Sequence, residues 1–130
     1  MNNKYLLDAS AILALLQKEP GSEMVTQCIP YSAISSVNLA EVASILNKLG
    51  MPENEIHELF DAMDIEILAY EKFTAIATGG IRSITQKKGL SLGDRACLAT
   101  AKQHKRIALT ADKAWLEFRQ EIGVEIKFIR

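Results

Sequence analysis

The chain carries YLLDASAILALL at residues 5–16, where a short apolar run is followed by a helical pattern. Lys4–Asp8 has the length and composition of a short buried strand, and Ser10 is predicted to cap the helix that follows it. A strand that leads directly into a helix is the unit from which α/β proteins are built. Because the rest of the chain repeats this order, the sequence predicts an α/β fold.

Strands and helices alternate from this stretch to the last residues. Further strands are predicted at 31–35, 65–68, 106–109 and 124–129, and further helices at 22–29, 37–49, 53–61, 71–86, 94–104 and 112–121. Such alternation is typical of a mainly parallel sheet with helices on both faces. A chain of 130 residues suffices for one ordinary domain but not for two, so we expect a single domain over residues 1–130.

The predicted helix at 71–86 carries its apolar and small residues on one face. They are Phe73, Ile76, Ala77, Gly80, Ile81 and Ile84. A face of this kind either packs into the core or is spare for self-association, and the sequence leaves both alternatives open.

The composition limits the classes of protein that the chain belongs to. It has 15 basic and 16 acidic side chains and a net charge of −1, which argues against tight non-specific binding of nucleic acid by bulk charge. Cys28 and Cys97 are expected to be buried and reduced, without a zinc site. The first residues lack the pattern of a signal peptide, and no apolar run is long enough to span a bilayer. We therefore expect a cytoplasmic protein without a membrane partner.

Four acidic residues adjoin segments that are predicted to be buried: Asp8, Glu41, Asp94 and Asp112. Taking a charge out of water is costly unless something offsets it. In a parallel sheet the carboxyl ends of the strands share one rim, and Asp8 and Asp112 both come after predicted strands. Two carboxylates ~4 Å apart repel by roughly 4 kcal/mol at an effective dielectric of about 20, and a bound cation relieves this repulsion. Oxygen-only ligation suits Mg²⁺ or Mn²⁺.

Three of these acids also have a purely structural explanation. Asp94 and Asp112 begin predicted helices and are possible N-caps, and Asp8 is a possible turn or cap residue. Glu41 lies inside a helix and is not a candidate for a cap. Asn38 precedes it by nearly one turn and points in roughly the same direction, so it is placed to hold or orient the carboxylate.

Other polar and aromatic residues are less informative. Arg95, next to Asp94, either contacts phosphate or pairs with a neighbouring acid. His57 and His104 lie in polar helical surroundings and are expected at the surface. Trp115 is expected to pack the last helix rather than to stack on a base.

Four stretches together resemble a known family. They are YLLDASAILALL at 5–16, SSVNLAEVASIL at 35–46, LSLGDRACLATA at 90–101 and ALTADKAW at 108–115. In this order and spacing they resemble the PIN-domain ribonucleases, and in particular the VapC-type toxins of type II toxin–antitoxin pairs. The resemblance implies a three-layer α/β/α PIN-like domain. It also implies that Asp8, Glu41, Asp94 and Asp112 are the catalytic and metal-binding residues, supported by hydrogen bonds from Ser10, Asn38 and Thr110.

The function implied by the resemblance is that of a Mg²⁺- or Mn²⁺-dependent endoribonuclease. It would hydrolyse RNA phosphodiesters with metal-activated water and leave a 5′-phosphate and a 3′-hydroxyl. The partners implied are an RNA substrate, a cognate antitoxin protein and a second copy in a homodimer. The alternatives are a PIN-fold RNA-processing nuclease that is not a toxin, and a non-catalytic interaction module on the same fold. A phosphoacceptor or phosphatase with Asp8 as nucleophile is a further alternative.

Overall fold

A computed structural model describes residues 4–130, except for the side chain of Lys87. Five strands form one sheet: β1 (Tyr5–Leu7), β2 (Ser32–Ser35), β3 (Glu66–Leu68), β4 (Ile107–Thr110) and β5 (Ile126–Phe128). Their order is β3-β2-β1-β4-β5, and every pairing is parallel. The helices are α1 (Ala9–Leu16), α2 (Ser22–Cys28), α3 (Ser36–Lys48), α4 (Glu53–Met63), α5 (Lys72–Thr85), α6 (Leu92–His104) and α7 (Arg119–Ile122). Short 3₁₀ helices cover Ile29–Tyr31, Gln86–Lys88 and Lys113–Phe118.

The central strand sends neighbouring side chains to opposite faces of the sheet, as a strand must. Leu6 packs in one buried cluster with Leu98 of α6, whereas Leu7 packs in the other with Ile12 of α1 and Val42 of α3. Helices therefore cover both faces. The predicted three-layer α/β/α fold with a parallel sheet is confirmed.

The ends of several elements differ from the prediction. Ser10 does not cap α1: the N-cap position is Asp8, and the Ser10 hydroxyl instead donates back to the Asp8 side chain. Helix α6 begins at Leu92 rather than at Asp94, because Ser91 caps it. The segment after Asp112 starts as a 3₁₀ helix and becomes α-helical only at Arg119.

Helix α5 turns most of its apolar face to solvent and packs a threonine-bearing face against the domain. Its residues Phe73 and Ile76 are 69% and 67% exposed, whereas Thr74, Thr78 and Thr85 are buried against the domain. Two of the buried hydroxyls are satisfied within the helix, since Thr78 Oγ1 donates to the Thr74 carbonyl at 2.7 Å and Thr85 Oγ1 donates to the Ile81 carbonyl at 3.2 Å. The Thr74 hydroxyl donates instead to Gln103 Oε1 of α6. The interpretation of the apolar face as core is therefore wrong for most of its residues, and only Ile81 of that face is buried.

Trp115 and the two cysteines are buried, as the sequence predicted. Trp115 is fully buried, and Cys28 and Cys97 are free and buried. In the part of the chain that the structure describes, no helix combines the length and hydrophobicity needed to cross a membrane.

Candidate active site

The candidate site lies at the carboxyl ends of β1 and β4, next to the point where the strand order reverses. Asp8 follows β1 directly and is 3% exposed. Its Oδ2 accepts hydrogen bonds from Ser10 Oγ at 2.6 Å and from Thr110 Oγ1 at 3.0 Å. One hydroxyl comes from the first turn of α1 and the other from the last residue of β4, so the two strand ends hold this carboxylate between them.

The same two hydroxyls also fix the loop that follows β4. The Ala111 N–H donates to Ser10 Oγ at 2.9 Å, and the Asp112 N–H donates to Thr110 Oγ1 at 3.0 Å. Asp112 itself is exposed, and its Oδ1 accepts from the Ala114 N–H at 3.0 Å. The Asp112 side chain therefore caps the 3₁₀ helix, as the N-cap explanation predicted. Its backbone N–H connects it through Thr110 to the hydrogen bonds around Asp8.

Glu41 reaches the site from α3, where it is half-buried. Asn38 Nδ2 donates to Glu41 Oε1 at 2.7 Å and to the Gly93 carbonyl at 3.1 Å. The predicted contact of Asn38 with this carboxylate is therefore present, and it extends across to α6. A single buried amide thus holds Glu41 against the first turn of the helix that carries Asp94.

Asp94 is the third residue of α6 and forms a capping box with Ser91. The Ser91 N–H donates to Asp94 Oδ2 at 3.0 Å, and the Asp94 N–H donates to Ser91 Oγ at 3.1 Å. Ser91 was not among the predicted site residues. Its position three residues before an acid at a helix start was the signal that could have identified it.

The four carboxylates share one arrangement: each has one oxygen held by protein donors and one oxygen without such a donor. The held oxygens are Asp8 Oδ2, Glu41 Oε1, Asp94 Oδ2 and Asp112 Oδ1. Among the hydrogen bonds of the described residues, none goes to the other oxygen of any of the four. Donors that orient one carboxylate oxygen and leave its partner available are typical of the groups around metal ligands.

Burial and mutual repulsion raise the proton affinity of the site. Burial raises the pKa of Asp8 from 3.8 to about 7, and the charges of Asp94 and Glu41 add to the rise, while the Ser10 and Thr110 hydroxyls oppose it. The pKa of Asp94 is also raised, mainly by burial, with a contribution from the charge of Asp112. Each acid thus acts electrostatically on at least one other.

Cys97 lies on α6, three residues after Asp94, and is fully buried. Burial raises the pKa of its thiol well above 9, and the charges of Asp8, Asp94 and Glu41 raise it further. The thiol therefore stays protonated, whereas metal binding by cysteine requires the thiolate.

The donor set suits a divalent cation, although the side chains do not yet enclose one. Within residues 4–130, no three His, Cys, Asp or Glu side chains lie close enough together to hold a single ion. The donors are all carboxylate oxygens, with one unbonded oxygen on each, and this chemistry suits Mg²⁺ or Mn²⁺.

The remaining predicted residues lie outside this network. Arg95 Nη1 donates to the Thr78 carbonyl of α5 at 3.3 Å, so its guanidinium links α6 to α5 and forms no ion pair among the described residues. His57 and His104 are exposed, as expected.

A separate groove lies between α3 and α4, and none of the four acids of the candidate site lines it. Its volume is about 710 Å³. Apolar side chains such as Leu39, Ile56, Phe60 and Ile67 line it, together with Glu53, Asp61 and Asp64. This groove and the acidic network are therefore separate features of the described part of the molecule.

The family is identified by the sequence as a whole. The PIN domain family model matches residues 5–120, which is most of the chain. The chain belongs to the PIN domain family.

Solved structures of toxin–antitoxin complexes share this fold. The DNA-bound VapBC complex from Salmonella typhimurium matches with a TM-score of 0.73 and 24% identity, covering 100% of both chains. VapBC2 from Rickettsia felis, bound to a fragment of its promoter DNA, matches with a TM-score of 0.70 and 16% identity over 95% of this chain and 97% of that one. FitAcB from Neisseria gonorrhoeae matches with a TM-score of 0.66 and 23% identity over 94% and 95%. No curated protein sequence matches this chain.

Proposed function

We propose that this protein is a Mg²⁺- or Mn²⁺-dependent endoribonuclease and acts as the toxin of a type II toxin–antitoxin pair. PIN domains are generally nucleases, so membership of the family supports hydrolysis of nucleic acid. The observation that carries the metal dependence is the shared arrangement of Asp8, Glu41, Asp94 and Asp112, each with one oxygen held and one oxygen without a donor. The resemblance of the four motifs to VapC-type toxins supports RNA as the substrate.

In this proposal the four carboxylates hold the cation. A divalent cation in such a site lowers the pKa of water and stabilises charge on the phosphoryl oxygens. The Ser10 and Thr110 hydroxyls favour the ionised form of the buried Asp8, because their hydrogen bonds limit the rise in its pKa that burial causes. Asn38 holds Glu41 in place through the hydrogen bond from its Nδ2 to Glu41 Oε1. Arg95 lies next to Asp94 and is our candidate for a phosphate contact.

A cleavage assay tests the proposal. Total RNA is incubated with the purified protein and Mg²⁺, with and without a chelator, alongside the variant Asp8→Asn. We expect the unaltered protein to cleave only with the metal, and Asp8→Asn not to cleave. The matched control is Glu58→Gln, which removes an exposed acid on α4 and should cleave normally. Cleavage that survives the chelator, or that Asp8→Asn retains, contradicts the proposal.

An antitoxin partner is supported by the neighbouring structures, which are toxin–antitoxin complexes. We propose that a segment of the antitoxin with apolar and basic residues occupies the groove between α3 and α4. The groove has an apolar floor that includes Leu39 and Phe60, and its acids Glu53, Asp61 and Asp64 complement a basic segment.

Co-purification with the product of the adjacent reading frame tests this groove. We expect the partner to bind the unaltered protein and to be lost from Phe60→Asp. Leu49→Asp is the control, since Leu49 is 66% exposed and does not line the groove. Equal binding by both variants contradicts the groove as the docking site.

A homodimer is supported by the inverted packing of α5. An antiparallel pairing of two α5 helices about the point between Ile76 and Ala77 places Phe73 opposite Gly80 and Glu71 opposite Arg82. A large apolar side chain then faces a glycine, and opposite charges face each other. Molar mass in solution tests this pairing: Phe73→Glu should be monomeric at concentrations where Leu49→Glu remains dimeric.

Two alternatives make different predictions. A non-catalytic module would bind no Mn²⁺ in a calorimetric titration. A phosphoacceptor would carry covalent phosphate on Asp8. Phosphatases of the haloacid-dehalogenase-like type have a second acid two residues after this aspartate. In this chain that position is Ser10, which counts against the alternative.

A further inference from the structure

Gly93 occupies a position in which a side chain would collide with the candidate site. It is buried and forms the second residue of α6, directly before Asp94. A Cβ atom built on Gly93 would overlap the carboxyl carbon and both carboxylate oxygens of Glu41. The Glu41 carboxylate therefore lies flat against the bare backbone of the first turn of α6.

The backbone itself gives no reason for a glycine here. Gly93 is not among the residues with a positive φ, and alanine is preferred to glycine inside a helix. A glycine that local helix propensity disfavours is explained by the space it leaves. At Gly79, also within a helix, an added Cβ would meet nothing within 4 Å. Gly80 is equally open, so among the glycines within the described helices only Gly93 has such a close contact.

Asn38 fastens the same contact from the other side. It is fully buried, and its Nδ2 bridges Glu41 Oε1 and the Gly93 carbonyl. Its Oδ1 is buried without a hydrogen-bond partner among the described residues, which is unfavourable for stability. The contribution of Asn38 to stability does not explain why a buried amide with an unpaired oxygen is present. Its role in holding Glu41 against α6 does explain its presence.

We propose that Gly93 is a positioning residue for the metal site. The notch left by its missing side chain lets Glu41 of α3 approach α6, and the Asn38 bridge locks it there beside Asp94. Gly93 sets the separation between these two carboxylates and so the size of the space for a cation. This inference rests on the proposed function, because it assigns a role toward the cation that those acids would hold.

The variant Gly93→Ala tests the notch by Mn²⁺ titration calorimetry and by thermal unfolding of the metal-free protein. We expect the affinity for Mn²⁺ to fall roughly 10- to 100-fold, in the range seen when groups that orient metal ligands are lost. Gly79→Ala is the matched control and should bind Mn²⁺ as the unaltered protein does. Unaltered affinity in Gly93→Ala overturns the inference. If the unaltered protein itself binds no Mn²⁺, the proposed function fails instead.

The double variant Glu41→Ala/Gly93→Ala separates positioning from simple disruption of the fold. If Gly93→Ala acts by displacing the Glu41 carboxylate, adding it to Glu41→Ala should lower the melting temperature of the metal-free protein no further. An equal drop in melting temperature with and without Glu41 shows that the alanine disturbs the helix rather than the carboxylate, and overturns the inference. This measurement remains informative if Gly93→Ala alone is too unstable for calorimetry.

Discussion

The acid network has a buried half and an exposed half, and they differ in what they cost the fold. Asp8 is almost completely buried and needs two hydroxyls to oppose the rise in its pKa, whereas Asp112 is exposed and caps a 3₁₀ helix. The exposed acid is compatible with a structural role alone. The buried one is destabilising as an anion, so its presence is best explained by a ligand that it binds.

The buried and the exposed acid should differ most in their contribution to RNA cleavage. Asp8→Asn should lower RNA cleavage by more than roughly 100-fold, because it removes a charged ligand at the centre of the network. Asp112→Asn should lower it by only about tenfold, since Asn caps equally well and the site keeps three acids. Initial cleavage rates at saturating Mg²⁺ measure both, and equal rates for the two variants would break the distinction.

The same substitution should have the opposite effect on stability. At pH 8, without metal, Asp8→Asn should raise the free energy of unfolding by a few kcal/mol, since a shift from 3.8 to about 7 means that ionised Asp8 disfavours the fold. Asp112→Asn should change it by less than about 0.5 kcal/mol. Urea unfolding measures both values. A destabilised Asp8→Asn would show that Asp8 supports the fold rather than straining it.

The pH dependence of the metal-free protein follows from the same shift. Between about pH 4 and pH 7 the folded state binds more protons at Asp8 than the unfolded state, so stability falls as the pH rises. Above pH 7 both states are ionised and this contribution is constant. The raised pKa of Asp94 acts in the same direction. Melting temperatures across this range should decline less in Asp8→Asn, and identical profiles would contradict the assignment.

Addition of metal should offset the loss of folding stability that the ionised Asp8 causes. At a free Mn²⁺ concentration of about 100 times Kd, the free energy of unfolding should rise by about 2.7 kcal/mol, because the ion binds only the folded state. A chelator should remove the gain, and Asp8→Asn should show none. Thermal unfolding with Ca²⁺ in place of Mn²⁺ provides a comparison for ion selectivity.

A smaller effect than that of Asp8→Asn is expected from the hydroxyls around Asp8. Thr110→Val removes a donor that lowers the pKa of Asp8, so cleavage at pH 7 should fall about tenfold and recover in part at higher pH. Thr26→Val is the control, since Thr26 is exposed on α2 and its hydroxyl bonds only to the Ser22 carbonyl. A loss that does not depend on pH would point to altered packing instead.

Local pattern was enough to predict the sheet, the helices and the acids at its rim. The run before Asp8 becomes β1, and Asn38 bonds to Glu41 as the helical spacing indicated. Ser10 was predicted as a cap because serine is common there. In the structure it bonds to Asp8 and to Ala111, a residue that the sheet brings next to it from a distant part of the chain.

Two features depend on tertiary structure and were beyond prediction from pattern. Periodicity identified the apolar face of α5 but not the direction in which it points, because buried threonines can bond to their own helix. The notch at Gly93 depends on a residue from α3, and the Asn38 bridge spans 55 positions of sequence. Nothing within one helix indicates such a contact.

The central claim is that these four acids bind one metal centre. The most direct measurement is a crystal structure of the protein with Mn²⁺, recorded with anomalous scattering. We predict an anomalous peak coordinated by the unbonded oxygens of Asp8, Glu41 and Asp94, with the Asp112 side chain turned toward it. A peak bound only by acids elsewhere, or no peak with these side chains unchanged, would contradict the account.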